Sequence, residues 1–142
     1  MWYYNSFPYT KIHDSQYIGF VYKITEISTG RIYIGMKNFL STTTKKLGKK
    51  ALALITDKRL SKKIRSTNES NWKTYNSSSK TLQELIKQNP DNYYKEIISF
   101  HKSKKQLAYA ELKQLILNDV LLSPNFINDY IGVGKFFRRD FI

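Results

Sequence analysis

The amino-acid sequence predicts a small α+β fold, a three-stranded antiparallel sheet flanked by helices, and three observations lead there. Two runs rich in aromatic and β-branched residues, Gly19 to Ile27 and Arg31 to Gly35, are separated by the turn-forming Ser28-Thr29-Gly30, so they pair as a hairpin. A third run, Tyr93 to Phe100, has the same strand-like composition. Two further segments carry apolar residues at helical spacing between clear start and stop signals.

Each element follows in order. Met1 to Gln16 is aromatic and polar without a period, which predicts an N-terminal arm packed on the domain. After the hairpin, residues 41–79 form a basic insertion and loop. Its first part is dense in Lys and Arg around the apolar patch Ala51 to Ile55, and its second is serine-rich with Trp72 and Tyr75 as aromatic anchors. A helix is expected from about Lys80 to Asn89, with Leu82, Leu85 and Ile86 on one face, Ser79 as N-cap and Pro90 as the stop. Ser103-Lys104-Lys105-Gln106 is a capping-box pattern that opens a second helix through about Asn118. Residues 121–142 read as short elements and a basic tail. With no repeat and no low-complexity linker, 142 residues are expected to form one domain, 1–142.

Composition narrows the chemistry. Cysteine is absent, which excludes a disulfide framework, a zinc ribbon and thiol catalysis, and two histidines are too few for a His-rich metal site. Any metal must therefore lean on carboxylates. Lys and Arg outnumber Asp and Glu by 24 to 11, a net charge of +13 that calls for a polyanionic partner. No basic amphipathic helix, apolar run of about 18 residues or secretion signal accompanies it, so a soluble cytoplasmic protein without a membrane partner is expected.

Hydrolysis of a phosphodiester needs a base for water, positive charge for the phosphate and usually a divalent ion. Here Tyr, Lys, Arg and Glu must supply them. A two-residue turn at Thr29-Gly30 would place Glu26 opposite Tyr33, with Tyr22 on the same face, so both phenols line one surface. The same pattern also suits two core aromatics. Glu111 lies four residues after Leu107 and four before Leu115, in line with the stripe facing the core. A carboxylate there binds a cation or pairs with a basic side chain.

Phe20-Val21-Tyr22, ten residues, then Tyr33-Ile34-Gly35 on a hairpin resembles the GIY-YIG nuclease module, whose usual opening is strand, turn, strand, then helix. The stretch Glu69 to Ser79, Leu107-Ala108-Tyr109-Ala110-Glu111 and Asn118 to Ser123 are further similar to the Seg-type phage homing endonuclease branch. The resemblance implies an endonuclease on double-stranded DNA, in the host cytoplasm if phage-encoded, with no small-molecule cofactor beyond one Mg²⁺ or Mn²⁺. In it Tyr22 and Tyr33 activate water and Glu111 holds the metal. Lys37 resembles the lysine that often follows the second motif, placed to contact the scissile phosphate or depress a tyrosine pKa. Two departures stand out: Phe20 replaces the first glycine, and the family's helix arginine is absent from Ser41 to Lys46. Lys45, Lys46, Arg59 or Arg65 is left to replace it, with Arg65 the chosen catalytic candidate. Contacts to DNA are assigned to Lys45, Lys46, Arg59, Lys62, Lys63, Trp72 and Lys73. The alternative is a catalytically inactive DNA-binding module of the same fold.

Overall fold

A computed structural model describes residues 1–57, 63–132, 136–137 and 139. Its centre is a five-stranded sheet rather than the expected three-stranded one. The strands are β1 (Trp2–Tyr4), β2 (Phe7–Tyr9), β3 (Gly19–Glu26), β4 (Ile32–Asn38) and β7 (Tyr93–His101), in the order β2-β1-β7-β3-β4. The β3–β4 hairpin and the β3–β7 pair are antiparallel as the sequence suggests. The extra strands come from the residues expected to form an arm. β1 and β2 form a tight hairpin turned by Asn5 and Ser6, both at positive φ, and β1 adds parallel to β7, which makes the sheet mixed. Trp2 drives this: its ring is buried and its indole N–H donates to the carbonyl of Trp72 at 2.6 Å.

Both faces of the sheet are covered. On one, Trp2, Tyr9, Phe20, Tyr22, Ile24 and Ile97 pack under Phe39, Trp72 and the helix α2 (Lys80–Gln88), which contributes Leu82 and Ile86. On the other, Val21 and Ile34 meet Leu107 and Leu115 of α3 (Lys104–Leu117), with Val120, Leu121 and Ile131 beyond it. Both predicted helix starts hold. The Ser79 hydroxyl accepts from the Leu82 N–H, and Ser103 accepts from Gln106.

Two predicted features are corrected. The β3–β4 connection is a four-residue loop, closed by the Glu26 N–H to the Arg31 carbonyl with Gly30 at φ +76°. Tyr33 therefore stands opposite Ile24, not Glu26. Where the resemblance placed a helix after the second motif, the chain instead continues through Phe39 into β5 (Leu40–Lys46), which pairs antiparallel with β6 (Lys63–Glu69) as a separate two-stranded ribbon. Three consecutive β-branched threonines, Thr42 to Thr44, favour a strand, and the run has nothing apolar to bury along a helix face. The five-residue helix α1 (Lys49–Ala53) lies between these strands, and a last short pair, β8 (Tyr130–Ile131) with β9 (Phe136–Phe137), follows α3. Arg59 and Lys62, and most of the expected basic tail after Gly132, lie outside the described residues. No helix among the described residues is long and apolar enough to cross a membrane.

Candidate active site

The corrected register brings the two motif tyrosines together. Tyr22 faces Gly35 across the hairpin and Tyr33 is its diagonal neighbour on the same sheet face, so the rings stack with centroids 6.4 Å apart. Gly35 is what lets this contact form: a Cβ there would run into the Tyr22 hydroxyl and ring carbons. Tyr75, from the serine-rich loop, closes edge-on against Tyr22 at 6.1 Å between centroids.

β4 is the edge of the sheet, and its outward backbone groups explain how the other parts are held. The Ile32 N–H donates to Asn125, and the Ile32 carbonyl accepts from the Ile127 N–H. The Asn128 side chain then takes both groups of Ile34, accepting from its N–H at 3.1 Å and donating to its carbonyl at 2.9 Å. The next outward N–H, of Met36, faces the Glu111 carboxylate and acts to lower its pKa. In this way α3, packed on the opposite face, carries a carboxylate around the strand edge to the tyrosine side.

There an open pocket of about 490 Å³ is lined by Tyr33, Tyr75, Ser78, Lys80, Glu111 and Asp129, among others. The Tyr33 and Ser78 hydroxyls are 3.0 Å apart. Ser77, at φ +83°, turns the chain so that the first turn of α2 opens on this wall, and its hydroxyl accepts from the Ser79 N–H. Helix N-termini carry free N–H groups and partial positive charge, which favours an anion.

The electrostatics follow from the crowding. Burial, then Tyr33, Tyr75 and Glu111, hold the Tyr22 phenol well above its ordinary pKa. Its hydroxyl is fully buried without a well-formed hydrogen bond among the described residues. Burial also raises Tyr33, against the opposing hydrogen bond with Ser78. At neutral pH both are therefore intact phenols. Burial raises the Glu111 carboxyl as well, and the Met36 N–H works against it. Glu111 makes no ion pair with a described residue. Lys37 shares the tyrosine face, with its ammonium 4.1 Å from the centroid of Tyr75, and burial lowers its pKa.

The predicted residues thus divide. Tyr33 and Glu111 line one pocket, Lys37 stands over the Tyr75 ring that lines it too, and the fully buried Tyr22 packs behind Tyr33 and Tyr75. Arg65 does not join them: it lies in β6 opposite Thr44, four residues out from the root of the ribbon, roughly 13 Å along it. Lys45, Lys46 and Lys63 share that ribbon and are exposed. Lys73 is exposed beside Glu69. Trp72, expected to touch DNA, is fully buried with its N–H on Glu69, because it anchors the core against Phe39 and Tyr9. Sequence reasoning missed Tyr75, Ser78, Lys80, Asn128 and Asp129. Their only signal was local: a polar serine-rich loop at a helix start and an Asn-Asp pair after α3.

The donor set suits a hard cation held mainly by water. Glu111 and Asp129 line one open pocket, and no group of three acidic or histidine side chains occurs among the described residues.

Comparison with known proteins agrees with this geometry. Residues 2–131 match the family model described as "Putative endonuclease segE, GIY-YIG domain". Neither a curated protein nor a solved structure gives a significant match. A match over almost the whole chain, on the hairpin and helix that bring the tyrosines and glutamate together, shows that this chain belongs to the GIY-YIG family of nucleases, in its SegE type.

Proposed function

We propose that the chain is a metal-dependent endonuclease of the phage homing type that hydrolyses phosphodiester bonds of double-stranded DNA. The observation that carries this reading is the meeting of Tyr33, from the edge strand, and Glu111, from α3, in one pocket, with Tyr22 packed behind Tyr33 and Lys37 over the Tyr75 ring that also lines it. Family membership supplies the reaction class and the charge of +13 fits the substrate.

Glu111, with Asp129 beside it, would hold Mg²⁺ or Mn²⁺. When bound, such an ion supplies Lewis-acid stabilisation of the phosphate and leaving oxygen. Of the two motif tyrosines, Tyr33 is the one that lines the pocket, and it orients the attacking water through its hydroxyl. For it to take a proton, its raised pKa must fall, and positive charge within a few ångströms does that. Lys37 on the same face is one source. Tyr22 is a positioning residue: it cannot touch substrate, and it sets the Tyr33 and Tyr75 rings by packing. Lys80 and the first turn of α2 stand on the pocket wall and supply positive charge there, so the scissile phosphate would lie between them and Glu111. A lysine there gives charge without the bidentate fork of arginine.

A second reading, a DNA-binding module without catalysis, is favoured by one observation: no arginine lines the pocket among the described residues. A supercoiled-plasmid assay separates the two. Cleavage that requires Mg²⁺ or Mn²⁺, stops on chelation, and falls on the order of 100-fold or more in Glu111→Ala and Tyr33→Phe is expected for the enzyme, with DNA binding retained. Undiminished cutting by Glu111→Ala would remove the metal site, and binding with no cutting under any divalent ion would leave the module.

A further inference from the structure

The β5–β6 ribbon has no structural account within the fold. All seven residues of each strand are exposed, so it buries nothing on either face. A two-stranded hairpin of this kind is marginal in water by itself. Yet its root is fixed. The Phe39 N–H donates to Ile18 and the Ser70 N–H to Phe39, the Ser70 hydroxyl donates to the Asn38 carbonyl at 2.6 Å, and the buried Phe39 and Trp72 rings pack at 5.2 Å. A rigid mount holding out an unsupported ribbon calls for a partner.

The two faces of the ribbon differ. On one, the Thr43 and Ser66 hydroxyls hydrogen-bond each other at 2.7 Å, next to Lys45 and the apolar Ile64. The other carries Thr42, Thr44, Lys46, Lys63, Arg65 and Thr67, with Leu40 and Glu69 at its root. There the Thr42, Thr44 and Thr67 hydroxyls and the Arg65 guanidinium engage no described residue, and their charge is positive. Unengaged donors on a cationic surface are what a nucleic-acid groove accepts. B-form DNA has a major groove about 12 Å wide that admits a two-stranded ribbon, whereas the deep, narrow major groove of duplex RNA does not let side chains read bases.

We propose that the β5–β6 ribbon enters the major groove of duplex DNA and reads base sequence with the face bearing Thr42, Thr44, Arg65 and Thr67. Arg65 donates both arms of its fork to a guanine edge, and the threonines present a hydroxyl or a methyl to neighbouring bases. Because β5 continues β4, Thr44 is seven residues from Lys37, at most roughly 24 Å. The bases read then lie within one helical turn, about 34 Å, of the bond that the pocket attacks. This inference rests on duplex DNA being the substrate.

The test selects bound duplexes from a library randomised over about 30 base pairs, using Glu111→Ala so that binding is scored without cutting. The expected pool fixes one or more G·C pairs, and Arg65→Ala in the same background lowers preference at one of them roughly tenfold or more. Thr43→Ala, on the other face, leaves the pool unchanged. Methylating guanine N7, a major-groove atom, blocks binding of the selected duplex. A pool without a preferred base, preference that survives Arg65→Ala, or binding indifferent to N7 methylation overturns the proposal. Failure of the nuclease reading looks different: the unsubstituted chain then leaves plasmid uncut while the Arg65-dependent motif persists.

Discussion

Two antiparallel hairpins follow one another in this chain, and they share backbone pattern but not fate. β3–β4 pairs seven residues and β5–β6 pairs seven. In the first, Phe20, Tyr22 and Ile24 on one face and Val21 and Ile34 on the other are buried, so β3 lies inside the sheet with a hydrophobic layer on each side. In the second, the same β-favouring geometry carries Thr, Ser, Lys and Arg, and no side chain is covered. Backbone hydrogen bonding can fix the shape of a hairpin. Apolar surface decides whether the fold depends on it. The buried hairpin consequently carries a crowded, over-determined site, and the exposed one carries groups available to a partner.

The residue that joins the two regions gives the largest expected effect. Trp72 follows the ribbon by three residues but belongs to the core, in contact with Tyr9, Phe20 and Phe39. Trp72→Ala should cost about 3–5 kcal/mol in urea unfolding, as large cavities in aromatic cores do. A stable Trp72→Ala protein with weakened DNA binding would instead move this residue to the ribbon's side of the comparison.

A second effect concerns the one charge buried in the sheet. Lys95 on β7 is 6 % exposed, donates to the Tyr75 carbonyl at 2.7 Å and to Asn76 at 3.0 Å, and burial lowers its pKa to about 8. Its unfolded value is near 10.4, so between these values the unfolded chain binds the extra proton. Stability therefore rises with pH across this window, by roughly 2 kcal/mol between pH 8 and 9.5. Above about pH 10 the raised phenols act in the opposite sense, because the unfolded tyrosines release protons first. Lys95→Met should remove most of the rise below pH 10, with Lys37 left to contribute in the same sense, and a variant that kept the full rise would show that Lys95 is not the group that titrates there.

The fate of each region was legible to different degrees. Helix starts were readable because Ser79 and Ser103 act on N–H groups three residues away. The tyrosine pair and Glu111 were readable because spacing along one hairpin and one helix face is local information. The register was not, since loop closure by Glu26 and Arg31 over four residues competes with the two-residue turn that Thr29-Gly30 suggests. Non-local pairings were invisible: nothing in Trp2-Tyr3-Tyr4 announces a parallel partner in Lys95, and nothing in Asn128 announces that it will mimic a strand along Ile34. Trp72 misled because an aromatic residue in a polar loop has the same sequence appearance whether it stacks on bases or anchors a core.

The smallest stability effect should come with a clear binding effect, and that pairing sharpens the contrast most. Lys45, Lys46 and Arg65 are exposed on the ribbon and make no ion pair with described residues. Surface substitutions of this kind change stability by no more than about 0.5 kcal/mol. If they face phosphate or bases, replacing them singly with Ala weakens duplex binding and lowers the slope of log K against log salt by about one unit for each phosphate that is no longer neutralised. Anisotropy titrations from low to moderate salt read that slope, and urea unfolding reads stability on the same samples. Unchanged slopes in all three variants would locate the DNA elsewhere on the molecule, and the ribbon would then lack the partner that its exposed, rigidly mounted face requires.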